Sequence, residues 1–294
     1  MDKKSKKFNF TKIAILAFLV IGLSFAIYYL SKISSFKTAP VRVNLQVTEY
    51  KDPDALIKVM DELEKRGIEK ATLFIGGDFA SQNCSLVKQY EEKGYEIALF
   101  GYALDKDGNF VQLATIPKDE MVANITKSKK QLETCLGHSL SGFRAQRFSQ
   151  NDNVNQTVSD LGFKWNGSFT SGSSFLEEDK DIFIPYQSQK FGFYAVTMIG
   201  AEVTPGRSTA LCDAALNSVV DSPKGWANTV KEYYQKYSQR KLPFLTEFHP
   251  YFLASDSSWW AEFIQLLDWL KAKKPTFLTT QQLIDVCNPA FCTE

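Results

Sequence analysis

Hydrophobic and polar positions follow a repeating strand–helix rhythm along most of the chain. Residues 41–47 alternate as a strand does, 54–66 have helical periodicity ended by Gly67, and 71–75 form the next apolar run. The later predicted helices are 85–93, 117–136 (closed by Gly137), 154–161, 226–237 and 259–272. The later predicted strands are 95–102 and the segments SGFRA, FKWNGSF, PFLTEFHP and TFLTT. The stretch 171–223 is less regular and contains a hairpin pattern. The alternation predicts a largely parallel sheet wrapped by helices, in one domain over residues 41–294.

The first forty residues have a different pattern. Five lysines lie in residues 1–12, an 18-residue apolar run covers 13–30, and a short polar segment covers 31–40. The pattern predicts a cytoplasmic basic tail, a transmembrane anchor and a tether, with the C-terminal domain outside the cytoplasm. A cleaved signal peptide is the alternative, and it places the domain on the same side.

Composition narrows the choice of partners. The chain has 34 basic and 33 acidic residues, for a net charge of +1, so nothing indicates a nucleic-acid partner. Five cysteines fit an extracytoplasmic location, with Cys287 and Cys292 spaced to close a terminal loop and Cys84, Cys135 and Cys212 able to supply another bridge. Because the number is odd, at least one cysteine is left over.

Six segments occur in an order and spacing that identify a resemblance. They are ATLFIGGDFA, GYEIALF, LGHSLSGFRAQRFS, LGFKWNGS, FLTEFHPY and FLTTQQLID. Together they resemble the polysaccharide deacetylase family (the NodB-homology domain), over residues 41–286. The resemblance implies an α/β fold, a distorted (β/α) barrel with its groove at the carboxyl ends of the strands. It also implies a hydrolase that removes acetyl groups from sugars, using a divalent metal such as zinc held by an aspartate and two histidines.

The residues that the family needs for its metal are missing here. Thr48 and Glu49 stand where the family has a catalytic aspartate and a ligand aspartate, and Phe100 and Leu104 stand where it has two histidines. Glu49 remains a weak metal candidate. The chain has two histidines, and His138 lies in a loop without a family ligand. We therefore predict no cofactor and no confident catalytic residue.

Two polar positions of the family groove are retained. Arg144 matches the arginine that orients the base, and His249 matches the histidine that acts as acid. Either can instead have a structural role. The family proline after the arginine is replaced by Gln146, and an expected aspartate is replaced by Asn166.

Aromatic residues would surround the former metal site. They either form a carbohydrate groove, since aromatic faces stack on sugar rings, or fill the pocket. The predicted substrate-binding residues are Phe100, Tyr102, Arg144, Phe148, Trp165, His249 and Tyr251, with Phe252 nearby.

These observations predict a membrane-anchored, extracytoplasmic, polysaccharide-deacetylase-like protein that is catalytically inactive and binds a cell-envelope glycan such as a peptidoglycan-like polymer. One alternative is an active carbohydrate deacetylase, either with a non-standard metal site using Glu49, Asp105 or Asp107 or without a metal. The other is a scaffold in an envelope complex.

Overall fold

The computed structural model describes residues 40–173, 176 and 183–287. The predicted tail, anchor and most of the tether (residues 1–39) lie outside the described residues. Within the described part, no helix combines the length and apolarity needed to cross a bilayer. All the elements given below belong to one compact unit, Val41–Glu294.

A curved, mainly parallel sheet forms the centre of this unit. Its strands are β1 (Arg42–Glu49), β2 (Thr72–Gly76), β3 (Glu96–Gly101), β6 (Gly142–Ala145), β7 (Trp165–Thr170), β8 (Tyr186–Gln187), β9 (Tyr194–Met198), β12 (Phe244–Phe248) and β13 (Thr276–Phe277). The spatial order is β12-β1-β2-β3-β6-β7-β9-β8, with β13 also paired to β1. Only β8 runs antiparallel within this sheet, pairing with β9. Strands that run parallel end at the same edge, so their carboxyl ends together form the floor of one surface.

Residues Leu211 and Cys212 span the gap between β9 and β12. The Leu211 N–H donates to the Ile199 carbonyl (2.8 Å), and the Leu211 carbonyl accepts from the Glu247 N–H (3.3 Å) and from the Thr246 hydroxyl (2.9 Å). A single parallel bridge joins Cys212 to Glu247. The sheet is thus curled into a half-barrel, and one short bridge spans its open side. This agrees with the α/β fold of the deacetylase type expected from the sequence.

Helices cover the outer face of the sheet. They are Pro53–Lys65, Gly77–Gln82, Cys84–Glu92, Lys118–Leu136, Asp152–Asp160, Asp213–Leu216, Pro223–Gln239, Pro250–Leu253, Ser257–Ala272 and Thr280–Val286. Their ends follow ordinary capping chemistry: the Asp52 carboxylate accepts the Ala55 N–H at the start of the first helix, and Gly137 ends the long helix in the left-handed conformation (φ 87°).

Most predicted elements are present, with differences where short elements interrupt the rhythm. Gly77–Gln82 is a separate helix, and two small antiparallel ribbons add to the fold: β4 (Ala103–Leu104) with β5 (Phe110–Val111), and β10 (Gly200–Thr204) with β11 (Arg207–Ala210). The hairpin predicted in residues 171–223 is confirmed as the β8–β9 pair, which precedes β10 in the chain. The TFLTT segment forms the two-residue strand β13 and then a helix N-cap at Thr279.

One disulfide joins two outer helices. Cys84 and Cys135 are bonded, with their Cα atoms 5.4 Å apart. Cys212, which the sequence left as a possible partner for them, is a buried free thiol. The predicted loop closed by Cys287 and Cys292 cannot be placed, because Cys292 lies outside the described residues.

Candidate functional site

A groove of about 560 Å³ opens at the carboxyl ends of the strands. Aromatic residues from the ends of β1, β3 and β6, from β5 and from the helix after β12 line part of it: Tyr50, Phe100, Phe110, Phe148 and Tyr251. Hydroxyl and amide residues line another part, from β7, the β10–β11 ribbon and the turn after β6: Gln146, Thr170, Ser173, Ser208 and Thr209. Arg144, Cys212, Glu247 and His249 also line the groove. This edge is where barrel enzymes place their chemistry.

Arg144 is the centre of a buried polar network. Its side chain is 2% exposed and lies over the Phe74 ring, 3.6 Å from the centroid. Its guanidinium donates to Gln46 Oε1 (2.5 Å), to Thr48 Oγ1 and to Glu247 Oε1 (2.5 Å). Burial lowers the pKa of Arg144, while the nearby carboxylate of Glu247 opposes that shift. The arginine is therefore fully engaged within the protein.

Glu247 supplies a carboxylate beside Thr48, the β1 position where the family has its catalytic aspartate. The β1–β12 register places Glu247 beside Gln46, and the Thr48 hydroxyl donates to Glu247 Oε1 at 2.6 Å. The family aspartate would stand at Thr48, so the negative charge that faces Arg144 has moved to the neighbouring strand. Thr48 itself has no group that could act as a base near neutral pH.

His249 lies between two carboxylates. Its Nδ1 is 2.6 Å from Asp213 Oδ1, its backbone N–H donates to Asp213 Oδ2 (2.7 Å), and its Nε2 is 3.4 Å from Glu247 Oε1. Burial lowers the pKa of His249, but the charges of Glu247 and Asp213 outweigh it, so the pKa is raised overall. Burial raises the pKa of Asp213, against the opposing effect of His249. Both ring nitrogens of His249 therefore face carboxylates.

The Glu49 carboxylate binds backbone N–H groups. Its fully buried carboxylate accepts N–H groups from Tyr50 (2.9 Å), Lys51 (2.9 Å) and Asp52 (3.1 Å) through Oε1, and from Tyr251 (3.1 Å) through Oε2. Burial raises the pKa of Glu49, whereas these four backbone donors lower it in part. The carboxylate thus fixes the loop after β1 and joins it to the loop after β12.

The family's metal does not fit this chain. The donor set would need two imidazoles, but Phe100 occupies one position and is 6% exposed, while Leu104, at the other, is 47% exposed on the β4–β5 ribbon. Glu49 has four amide donors on its oxygens. We therefore derive no chemical step through a metal at this position.

Cys212, Asp213 and His249 make a separate group of possible ligands. One ligand atom from each lies within 4.8 Å of the others. A cation there would have to break the bond between His249 and Asp213, which the two residues make at 2.6 Å. Burial also raises the pKa of the Cys212 thiol well above its usual value, which opposes formation of the thiolate ligand.

The aromatic side of the groove is a connected cluster. The Tyr50 ring is 4.9 Å from Phe110, 5.3 Å from Tyr251, 5.7 Å from Tyr102 and 6.0 Å from Phe100, measured between centroids. Tyr102 supports this cluster but is not among the residues that line the groove. The aromatics have occupied the former ligand position without closing the groove.

The structure brings together five of the seven predicted substrate-binding residues. Phe100, Arg144, Phe148, His249 and Tyr251 line the groove. Trp165 does not: it is fully buried at the amino end of β7, packs against Phe74 (5.7 Å between centroids) and donates to Glu96 Oε1 (3.2 Å). The expectation that Trp165 meets a sugar is corrected for this reason.

The other polar candidates have structural contacts. Asn166 is buried, donates to Asn155 and accepts from Ser168. The Asp105 carboxylate accepts the N–H groups of Asp107 and Asn109 in an exposed turn, away from the groove residues. His138 Nε2 contacts Glu91 (2.8 Å) with the side chain 54% exposed, which agrees with a solvated loop histidine. Phe252 packs on Trp259, 4.7 Å between centroids.

Several residues of the groove and of the polar network beneath it were not singled out from the sequence, among them Glu247, Tyr50, Asp213 and Phe110. Glu247 lies two residues before His249, so the i, i+2 spacing on a strand could have placed both at one face. Tyr50 directly follows Glu49 and could have been included with the strand end. Asp213 and Phe110 lie in irregular segments, where no periodic pattern marks them.

Comparisons with known proteins agree with this geometry. A family model described as polysaccharide deacetylase matches residues 48–165. A comparison with curated proteins gives no match. The resemblance to polysaccharide deacetylases predicted from the six segments is confirmed.

Solved structures with this fold include a putative polysaccharide deacetylase and a pseudoenzyme. A putative polysaccharide deacetylase from Mycobacterium smegmatis has a TM-score of 0.61 at 14% identity, covering 85% of this chain and 91% of that one. A CE4-family pseudoenzyme from Bacillus anthracis has a TM-score of 0.53 at 15% identity, covering 84% of this chain and 66% of that one. A mutant of that pseudoenzyme, described as having restored enzymatic activity, has the same TM-score and identity and covers 84% and 68%. At such identities the likeness concerns the fold.

Proposed function

We propose that this protein binds a cell-envelope glycan in the groove and does not hydrolyse it. The observation that carries the proposal is the groove itself: it stays open at about 560 Å³ and is aromatic on one part and hydroxyl-rich on another, although the family's metal ligands are gone. Sugar rings have apolar faces that stack on aromatic rings and hydroxyls that need polar partners. The existence of a pseudoenzyme with this fold makes loss of catalysis a reasonable outcome for this chain.

The test is titration calorimetry against acetylated chitin oligomers and peptidoglycan fragments, together with an assay for released acetate. We expect weak binding, no acetate release above a heat-killed control, and binding reduced at least several-fold by Phe148→Ala or Tyr251→Ala. Trp269→Ala is the matched control, because Trp269 is a partly buried aromatic on Ser257–Ala272 that does not line the groove. No binding to any glycan would favour the scaffold instead.

The second candidate is a metal-independent hydrolase. The observation that favours it is the row Asp213–His249–Glu247, with contacts of 2.6 and 3.4 Å, in the same groove. Against it, Glu247 Oε1 already accepts hydrogen bonds from Arg144 and from the Thr48 hydroxyl, so this oxygen is engaged within the protein. Acetate release that disappears in His249→Ala would establish this candidate.

Elemental analysis of the dialysed protein tests the metal question. We expect no stoichiometric zinc, because the positions of the family's histidines are Phe100 and Leu104. One equivalent that is lost on Glu49→Ala would restore the family site. One equivalent that is lost on Cys212→Ala would place a cation beside His249.

The proposal includes the location. The apolar run 13–30 with its lysine-rich flank supports a single-pass anchor in the cell membrane, with the domain outside the cytoplasm. The Cys84–Cys135 disulfide supports an oxidising compartment. Membrane fractionation and N-terminal sequencing of the mature protein test this, and a new N-terminus between residues 25 and 45 would contradict the anchor.

A further inference from the structure

The hydroxyl-rich part of the groove contains two buried polar atoms that lack partners. Gln146 is 4% exposed and Thr170 is 1% exposed, and both line the groove. Gln146 Oε1 and Thr170 Oγ1 make no hydrogen bond within the described part of the chain. Buried polar groups are almost always paired, because an unmet one loses its water without compensation. A ligand in the groove could supply the missing partners.

The turn after β6 presents one of these atoms beside a stacking surface. Arg147 and Phe148 both have left-handed backbone conformations (φ 54° and 53°), which non-glycine residues seldom adopt. Such strain persists where the surroundings require it, and it clusters at ligand sites. Here the turn directs Gln146 and Phe148 into the same groove. One short segment thus offers an amide oxygen and an aromatic ring together.

The charges around the groove indicate an uncharged ligand. Arg144 is paired with Glu247 at 2.5 Å, and His249 is paired with Asp213 at 2.6 Å. Each of these four side chains already has a partner within the protein, so the floor offers no unpaired charged group to an ionic ligand. Arg147, which is exposed, is the other arginine that lines the groove.

We propose that Gln146 and Thr170 form a hydrogen-bonding subsite that accepts hydroxyl or acetamido N–H donors of an uncharged pyranose. The pyranose stacks on Phe148 while its donors meet Gln146 Oε1 and Thr170 Oγ1. This inference rests on the proposed function and specifies the ligand as neutral and rich in donors.

The test uses nearly isosteric variants that remove the polar atoms. Gln146→Met and Thr170→Val should each weaken binding of neutral acetylated oligosaccharides roughly 3- to 10-fold, the range expected for one lost neutral hydrogen bond. The same variants should keep the melting temperature of the unliganded protein or raise it by a few degrees, because an unmet buried polar atom is replaced by an apolar one. A structural role would give the opposite change in melting temperature.

Gln131→Met is the matched control. Gln131 Oε1 is also buried and unpaired, but it lies beside the disulfide in a second cavity of about 480 Å³. Its replacement should leave glycan binding unchanged. If the wild-type protein binds no glycan, the proposed function fails and the subsite with it. If the wild-type protein binds but Gln146→Met and Thr170→Val bind equally well, the subsite alone is overturned. Tighter binding of a uronic-acid polymer than of its neutral counterpart would overturn the uncharged-ligand assignment.

Discussion

Removing the Glu247 carboxylate should expose the energetic role of the Arg144 pair. In Glu247→Leu, Arg144 would keep its bonds to Gln46 and Thr48 but would lose its counter-charge while 2% exposed. Breaking a buried ion pair from one side costs about 3–5 kcal/mol, because the remaining charge stays buried. This corresponds to a change of roughly 150- to 5,000-fold in the folding equilibrium, and it is a large part of a typical domain stability of about 5–15 kcal/mol.

The double variant separates the pair's net contribution from the cost of an orphaned charge. Replacing a buried pair by apolar residues of similar volume is often neutral or stabilising. We therefore expect Arg144→Met/Glu247→Leu to be more stable than Glu247→Leu alone, although it is further mutated. The coupling between the two sites would then be several kcal/mol, as contacting residues can show.

Urea unfolding followed by circular dichroism measures these differences. The control is Asp152→Ala, which removes a surface pair to Lys190 whose side chains are 76% and 52% exposed, and it should cost no more than about 1 kcal/mol. A cost below about 1 kcal/mol for Glu247→Leu would refute the reasoning. So would a double variant whose loss equals the sum of the two single losses.

Three further predictions concern other parts of the chain. Burial lowers the pKa of His249, but the nearby carboxylates outweigh it and raise this pKa overall, so the free energy of unfolding should fall as the pH rises from about 6.5 through the folded-state pKa. In unfolding measured against pH, His249→Gln should remove most of this fall. A fall that is unchanged by His249→Gln but removed by His138→Gln would show that the exposed histidine controls it. Reducing the Cys84–Cys135 disulfide should lower stability by about 4 kcal/mol on the chain-entropy model for its 51-residue separation, measured by unfolding with and without reductant, and an unchanged midpoint would contradict this. Gly142→Ala should lower the stability measured by thermal unfolding by about 1–3 kcal/mol, because the new Cβ would lie 1.9 Å from the Trp165 indole. Gly167→Ala should cost less, because the nearest atom to its new Cβ is 3.6 Å away. Equal losses in the two variants would contradict the close approach at Gly142.

The sequence predicted the elements well because strand and helix periods differ, and because glycines such as Gly67 and Gly137 mark helix ends. It could not predict which groove residues meet. All five residues of β12 are buried, since a barrel strand is covered on both faces, so alternation does not distinguish Glu247 from its apolar neighbours. Asp213 follows the irregular stretch that carries the sheet's closing bridge.

Trp165 shows the limit of reading a site from motif order. A segment that matches a family motif does not show at which end of its strand a given residue lies. Trp165 is the first residue of β7, whereas the groove begins at the last, Thr170. The strand has six residues at about 3.3 Å per residue, so Trp165 is too far from the groove end to contact a sugar bound there.

The bridge at Leu211–Cys212 is the place where we expect the curled sheet to open locally. Elsewhere the parallel strands are joined by two to five residue pairs, with five between β1 and β12. Here the closing depends on Leu211 and its contacts to Ile199, Thr246 and Glu247. Local opening follows the places with fewest hydrogen bonds. The Leu211 amide should therefore exchange with solvent sooner than the amides of β1. Since Glu247 belongs both to this bridge and to the groove, local opening at the bridge should also displace a groove residue.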